Sequence, residues 1–469
     1  MSSNSDRQLD VVILAAGLGT RMKSAKAKVL HELGGLPLIG HVCRTARLLN
    51  PAKIHVVVGH QSDEVAAAVT SAIGAEGVTF PKQERQLGTG DAVMAVRSSL
   101  DASNSTALIL SGDVPLIEVD TLRTLIEEHL RTGSAGTILS VRLDNPTGYG
   151  RIIRDSEGRF LRIVEHKDAT SEQREISEIN SGIYCFDTSK LFSALEHIEP
   201  KNQQGEYYLT DVAEILRNRG ETISVYLHGD SREVSGINTR AELAEFENVM
   251  RSRTIQRLML ESGVTFIDPS HSYVDVDVSV GKDSLIHPDV HLEGKTTVGE
   301  NCEIRSGSRV TNSKIGDKVT LKDHCVIVDS EVEANCSIGP FAHLRMNSRI
   351  EQGAAVGNFV EIKKSTLGRG SKSMHLTYLG DATIGEQTNI GAGTITCNYD
   401  GKNKHPTVIE DHVKIGSDTM LVAPVKVGGG SVTAAGSVVT KDVPPDSLVA
   451  GVPAVVKKHL AERKEDAKG

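Results

Sequence analysis

Three groups of residues in this chain have the types and spacing that chemistry needs. The first is the run Leu14-Ala15-Ala16-Gly17, continuing through Gly19 to Arg21, with Lys28 shortly after. It follows the apolar run Val11-Val12-Ile13, which places it at the carboxyl end of a buried strand, where open α/β sheets bind ligands. Glycines let backbone N–H groups approach an anion, and a cation alongside neutralises it. The loop is neither of two familiar phosphate loops. Met22 stands where G-x-G-x-x-G needs its third glycine, and no G-K-[ST] closes the turn. Arg21 and Lys28 can supply the charge, Lys26 competes with Lys28 for that role, and a plain strand-to-helix turn with a solvated arginine stays open.

The second group is Ser111-Gly112-Asp113, directly after the buried run 107–110. Asp113 is either an ordinary turn or cap residue or a hard oxygen ligand for Mg²⁺, which takes one or two protein groups and fills its shell with phosphate oxygens. The third group lies far downstream. SKSMHLTYLGD (371–381) carries His375 and Tyr378, and NFVEIKKS (358–365) carries Glu361, Lys363 and Lys364. TCNYDGKNKHP (396–406) has no aliphatic residue to bury, so it must project as a loop. These charges are either solvated or arranged to orient an imidazole and bind a phosphate.

Two kinds of scaffold must position these groups. In the first half, apolar runs at 10–16, 54–59, 107–110, 137–141 and 223–227 alternate with amphipathic segments such as 38–49 and 120–129, which predicts an α/β layer with a mostly parallel sheet. In the second half the aliphatics fall every six residues: Val280, Ile286, Leu292, Val298, Ile304, Val310, then Ile315, Leu321, Ile327, then Val332 to Ile362, and again from Ile409 to Val439. Neither a helix nor a two-faced strand has that period. A β-helix of hexapeptide repeats does, with one aliphatic pointing inward from each of three flat faces. That spacing gives on the order of ten coils, each about 4.8 Å from the next. Position i+4 is small, which makes Cys302, Cys325 and Cys336 inward packers rather than reactive thiols. At Ser373 the aliphatic is missing, which predicts another use for that face. Between the halves, 239–262 lacks Pro and Gly and reads as a connecting helix. The domains are therefore 1–238, a linker helix 239–263, and 264–469.

The bulk numbers narrow the function classes. With 469 residues, 39% hydrophobic and 24% charged, the chain is globular with two or three domains. A net charge of −9 disfavours nucleic acid as a partner. No apolar run is long enough to span a membrane, and MSSNSDRQLD lacks the apolar core of a secretory signal. The six cysteines form no C-x-x-C pair, which points to a reducing, cytoplasmic compartment.

Further stretches carry a resemblance. LAAGLGTRM, QLGTGDA (86–92), SGDVP, NPTGYGRI (145–152), IVEHKDA (163–169), EINSGIY (178–184), QGEYYLTD (204–211) and GINTR (236–240) resemble the sugar-1-phosphate nucleotidyltransferases. They are most similar to the uridyltransferase half of the bifunctional N-acetylglucosamine-1-phosphate uridyltransferase and glucosamine-1-phosphate acetyltransferase family. FAHLR (341–345), HLTYLGDATIG (375–385), NIGAGTITCNYDG (389–401) and IGSDT (415–419) resemble its acetyltransferase half.

The resemblance implies roles. Leu14, Ala15, Ala16 and Gly17 would line UTP, with Arg21 and Lys28 on its phosphates and Ser111 and Gly112 beside it. Gln83, Gly88 and Thr89 would meet uracil, and Asp113 and Asn238 would hold Mg²⁺. Gly150, Glu165 and Asn180 would meet the sugar. His375 would be the general base for glucosamine-1-phosphate acetylation, with Glu361 orienting it. Arg345, Lys363, Tyr378 and Asn389 would hold the amino-sugar phosphate. Ala392, Asn398, Tyr399, Ser417 and Ala435 would line acetyl-CoA. The resemblance also implies a left-handed β-helix and a homotrimer.

Three departures stand out. The lysine follows Ala25-Lys26-Ala27, where the family has a Leu-Pro pair, and Ser111 replaces a frequent aromatic. In LVAGVPAVVKK (448–458), Gly451 occupies the place of an arginine, which leaves Lys441, Lys457 or Lys458 for the coenzyme's phosphates. A base suits acetyl transfer because an amine is mostly protonated at neutral pH, and an imidazole can remove that proton. The product, N-acetylglucosamine-1-phosphate, would then be joined to UTP as UDP-N-acetylglucosamine. The alternatives are a single-activity nucleotidyltransferase with a structural β-helix, or a regulatory subunit with both sites inert.

Overall fold

A computed structural model describes residues 7–17, 19–100 and 104–460. Leu18 of the glycine turn, and the N-terminal hexapeptide on which the expectation about a signal segment rests, lie outside the described residues. Among those described, no helix is long and apolar enough to cross a membrane. The chain divides into two compact units, Met1–Glu247 and Asn248–Gly469, and the helix Arg240–Glu261 contains the point of division.

The first unit is built on a nine-stranded sheet. Gln8–Leu14 lies at its centre, pairing in parallel with Lys53–Val57 on one side and Ser105–Ser111 on the other. Val11, Val12, Ile13, Leu108, Ile109 and Leu110 are all buried, as continuous apolar runs in a two-sided parallel sheet must be. The expectation of a mostly parallel sheet needs one amendment. Glu178–Asp187 runs antiparallel between Ser105–Ser111 and Gly136–Arg142, and it carries the hairpin Arg151–Arg154/Phe160–Val164 at its edge. Asn180, Ser181 and Gly182 interrupt its apolar pattern, and the register shifts there as a bulge.

The second unit has three walls of short parallel strands. The first wall has 12 strands and starts at Thr265–Phe266, its last strand, Ala454–His459, folding back antiparallel; the second has 10 and starts at Ser272–Val274, and the third has 9 and starts at Ser279–Val280. Chain order visits the walls in turn, so each aliphatic of the six-residue series stacks on its counterpart one coil later. In the first wall Ile286, Ile304, Leu321, Ile338 and Val356 pair in sequence. These residues form one continuous core with Cys302, Cys325, Cys336, Ala342 and Ala354. Burial pushes the Cys325 and Cys336 thiols up to about 11, so they pack as small hydrophobes.

Ser373 keeps the place of the missing aliphatic. It still points inward, in register between Val356 and Ile390, and its buried hydroxyl has no hydrogen-bond partner. The missing aliphatic is thus a thinning of the core behind His375, not a turning of the face.

Tight corners join the walls, and most non-glycine corner residues with positive φ are Asn or Asp, which tolerate that conformation. The corner between the first and second walls is an exception. Phe341, Phe359 and Leu376 stand there at φ of 54°, 56° and 47°, and all three are exposed.

Candidate active sites

In the first unit, the turn after Gln8–Leu14 and the loop after Ser105–Ser111 open onto a cavity of about 520 Å³. Its lining includes Leu14, Ala15, Ala16, Gly17, Lys28, Gln83, Gly88, Thr89, Ser111 and Asp113. Gly19 adopts φ 59°, and a Cβ there would come within 2.5 Å of Lys28 Cβ. The missing side chain is what lets Lys28 fold in against the turn. Its ammonium pairs with Asp113 and donates to Asn238 Oδ1 at 3.1 Å, while Arg21 donates to the same oxygen at 2.8 Å. Lys26 instead pairs with Glu32 at 3.6 Å, half exposed, which settles which lysine enters the cavity. Two cations, one carboxylate and one amide from three separated parts of the chain therefore meet at one point.

Gly112 must be glycine because a Cβ would meet Ile39 Cδ1 at 2.9 Å and Leu14 O at 3.1 Å. Gln83 and Gln86 are tied to backbone of the cavity lining. Gln83 donates to Gly88 O at 3.0 Å, and Gln86 donates to Ala16 O at 2.6 Å.

Gly150, Glu165 and Asn180 form their own cluster. Asn180 N donates to Gly150 O at 2.9 Å, and a Cβ on Gly150 would lie 3.1 Å from Glu165 Oε1. Burial, with Asp168 and Asp211 adding repulsion, pushes the Glu165 carboxyl up to about 7. The buried Arg151 guanidinium donates to the carbonyls of Tyr149 and Arg174, bracing the turn that carries Gly150.

In the second unit, His375 ends the first-wall strand Lys372–His375 and is exposed. Its Nδ1 lies 2.9 Å from Asn358 Oδ1, its ladder neighbour one coil earlier. An amide oxygen only accepts, so Nδ1 carries the proton and Nε2 keeps a free lone pair. Glu361, expected to orient the imidazole, makes its hydrogen bonds elsewhere within this chain. Glu361 is engaged by Arg345, which donates to it through Nε at 2.8 Å and NH2 at 2.6 Å.

The second wall stacks Arg345 beside Lys363 and Lys363 beside Gly380, with Glu361 beside Tyr378. Gly380 leaves room for the Tyr378 hydroxyl, which would lie 2.3 Å from any Cβ there. The Lys363 ammonium is held below its ordinary range by Lys404, by its own desolvation and by Arg345, so three cations crowd one spot. Such crowding favours an anion.

Asn398 donates to Asp381 Oδ2 at 2.6 Å, while Tyr399 projects from the loop with its hydroxyl on Gly401 O at 2.7 Å. Ala392, Ser417 and Ala435 stack along the corner that follows the first wall, tied by Asp418 N to Ala392 O at 2.7 Å and Gly436 N to Ser417 O at 2.8 Å. Asn389 faces outward from the first wall between Lys372 and Lys414. Gly451 sits at φ 106°, a backbone that disfavours any side chain. Lys441, Lys457 and Lys458 are exposed.

Comparison with known proteins fits this division. A MobA-like NTP transferase domain matches residues 11–201, and a GMPPB C-terminal domain matches 271–348. The bifunctional protein GlmU of Syntrophomonas wolfei is 48% identical over 456 residues, 97% of this chain and 100% of that one. GlmU of Trichlorobacter lovleyi is 48% identical over 97% of this chain and 98% of its own, and GlmU of a Geobacillus species is 46% identical over 96% and 97%. This chain belongs to the GlmU family. It is a bifunctional enzyme of UDP-N-acetylglucosamine synthesis, a uridylyltransferase and an acetyltransferase in one polypeptide. A solved glucose-1-phosphate thymidylyltransferase-type structure from Bacillus anthracis aligns at 22% identity over 51% of this chain and 94% of its own, with a TM-score of 0.43, and carries no weight here.

Within this GlmU-family chain, sequence reasoning missed Asn358, Lys404 and Arg151. Asn358 lies in NFVEIKKS and Lys404 in the loop TCNYDGKNKHP, but their roles depend on which coil stacks on which. Arg151 gave no signal beyond its place in NPTGYGRI, since a guanidinium is seldom so fully buried.

Proposed function

We propose that the glycine-turn cavity is the uridylyl-transfer site and the His375 face of the prism the acetyl-transfer site. The observation that carries this reading is the meeting of Arg21, Lys28, Asp113 and Asn238 around one point beside the turn. Uridylyl transfer brings two anions together, so its work is neutralisation and alignment. Arg21 and Lys28 hold the phosphates of UTP, while the Gly150–Glu165–Asn180 cluster holds the sugar. A phosphate oxygen of N-acetylglucosamine-1-phosphate attacks the α-phosphorus in line, and pyrophosphate leaves.

Asp113 and Asn238 would hold Mg²⁺. The fit rests on their two hard oxygens converging on one cation position, which the Lys28 ammonium touches from both. Bound there, the ion would supply further positive charge to the triphosphate.

For acetyl transfer, Arg345, Lys363 and Lys404 hold the phosphate of glucosamine-1-phosphate, with Tyr378 and Asn389 alongside. Asn358 fixes the tautomer, so His375 Nε2 takes one proton from the ammonium; the freed amine attacks the thioester carbonyl, and its second proton passes to the coenzyme A sulfur as the C–S bond breaks. Ala392, Ser417 and Ala435 line acetyl-CoA along the corner, with Asn398 and Tyr399 at the loop. These residues spread over two walls and a corner, which supports a second copy closing the site. The exposed stack of His324, Phe341 and Phe359, with centroids 5.0 and 5.4 Å apart, supports self-association at that corner, which a homotrimer would use. Six free thiols support a reducing, cytoplasmic setting.

The test is one reaction of purified protein, glucosamine-1-phosphate, acetyl-CoA, UTP and Mg²⁺, omitting each in turn. Omitting UTP or Mg²⁺ leaves N-acetylglucosamine-1-phosphate as end product, and omitting acetyl-CoA abolishes UDP-N-acetylglucosamine. Acetylation that needs UTP contradicts separate sites.

A further inference from the structure

Resting on the reading of the glycine-turn cavity as a uridine nucleotide site, we propose that Asp91 is a specificity-determining positioning residue. It locks the Gln83 side chain so that only its carbonyl faces the base, which selects a pyrimidine with a ring N–H over one without.

The argument is a matter of donors and acceptors. Gln83 lines the cavity and is buried. Its Nε2 donates to Gly88 O at 3.0 Å and to Asp91 Oδ2 at 2.8 Å. A side-chain amide has two N–H groups, so both are used. Flipping the amide would set Oε1 against a carbonyl oxygen and a carboxylate at once. The carboxylate makes the stronger of the two restraints, because hydrogen bonds to a charged acceptor are about twice as strong.

Among the described residues no protein group donates to Oε1, which leaves a fixed acceptor for a ligand. Thr89 lines the same cavity, and its Oγ1 accepts from Leu209 N at 3.0 Å, so its hydroxyl hydrogen is left to donate. A fixed acceptor and a free donor on one cavity suit the ring N–H and a carbonyl of uracil. Cytosine offers a bare ring nitrogen beside an amino group, opposed at both positions. Asp91 itself does not line the cavity, so it acts through Gln83 alone.

The experiment compares kcat/KM for UTP and CTP with N-acetylglucosamine-1-phosphate in Asp91→Ala, Asp91→Asn and Gln83→Leu, with the thermal melt of each variant as the folding control. Asp91→Ala should lower the UTP-over-CTP ratio about tenfold. Asp91→Asn, which still offers an oxygen, should stay within about threefold of the parent. An unchanged ratio in Asp91→Ala, or an equal loss with both nucleotides, overturns the role of Asp91. If Gln83→Leu also leaves kcat/KM for UTP unchanged, the uridine reading of the cavity falls with it.

Discussion

Asn358 and His375 are ladder neighbours whose side chains meet at 2.9 Å, the amide oxygen accepting from the imidazole Nδ1. The pair sits on the stiff wall of the prism, so the ring's direction is set by strand register rather than by a loop. Asn358→Ala should therefore lower kcat for acetyl transfer about tenfold with little change in KM. Glu361→Gln, which loosens Arg345, should mainly raise KM for glucosamine-1-phosphate. The opposite pattern would make Glu361 the group that orients the base.

Lys28 and Lys26 make a matched pair of tests. Lys28 reaches Asp113 and Asn238, whereas Lys26 pairs with Glu32 at the surface. Lys28→Met should cut uridylyl transfer about a hundredfold, as loss of a preorganised cation at a transferring phosphoryl group does. Lys26→Met should stay within about twofold, as removal of an exposed pair does. Steady-state rates with UTP in both variants check this.

Glu165 links pH to the stability of the first unit. Its carboxyl is raised to about 7 by burial and by Asp168 and Asp211, so the folded chain holds its proton where the unfolded chain does not. The stabilisation is complete below the ordinary glutamate range, near pH 4.5, and is lost as pH rises through about 7. Thermal melts of Glu165→Gln should match the parent at pH 4.5 and exceed it by several degrees at pH 8. Parallel curves across that window would show that Glu165 is ionised throughout.

The corner residues Phe341 and Phe359 hold bulky side chains in a left-handed backbone, at a cost of about 1 kcal/mol each. A glycine there relieves the backbone while deleting the ring. Phe341→Gly with Phe359→Gly should thus keep the prism folded yet weaken self-association, read by light scattering. Acetyl transfer should fall with assembly while uridylyl transfer persists. An oligomer as stable as the parent's would exclude this corner as the contact.

Much of the architecture was legible because it is periodic. Val280 through Val439 announce the prism by spacing alone, and Val11–Ile13 and 107–110 announce the central strands. Asp113 was legible because it follows a buried strand. What the sequence hid is whatever depends on stacking between distant segments. Asn358 and His375 are neighbours only across a coil, and the Asp91–Gln83 contact depends on the path of a loop. The antiparallel strand Glu178–Asp187 was hidden by its own bulge at Asn180 and Gly182.

The central claim is that one chain holds two chemically independent sites, and mixing two damaged proteins tests it most directly. Asp113→Asn should acetylate but not transfer uridylyl, and His375→Ala should do the reverse, with acetylation down roughly 10²–10⁴-fold. Supplied with glucosamine-1-phosphate, acetyl-CoA, UTP and Mg²⁺, the mixture should form UDP-N-acetylglucosamine at a rate that neither protein approaches alone. A mixture as inactive as its parts, or either substitution abolishing both reactions, would contradict the account.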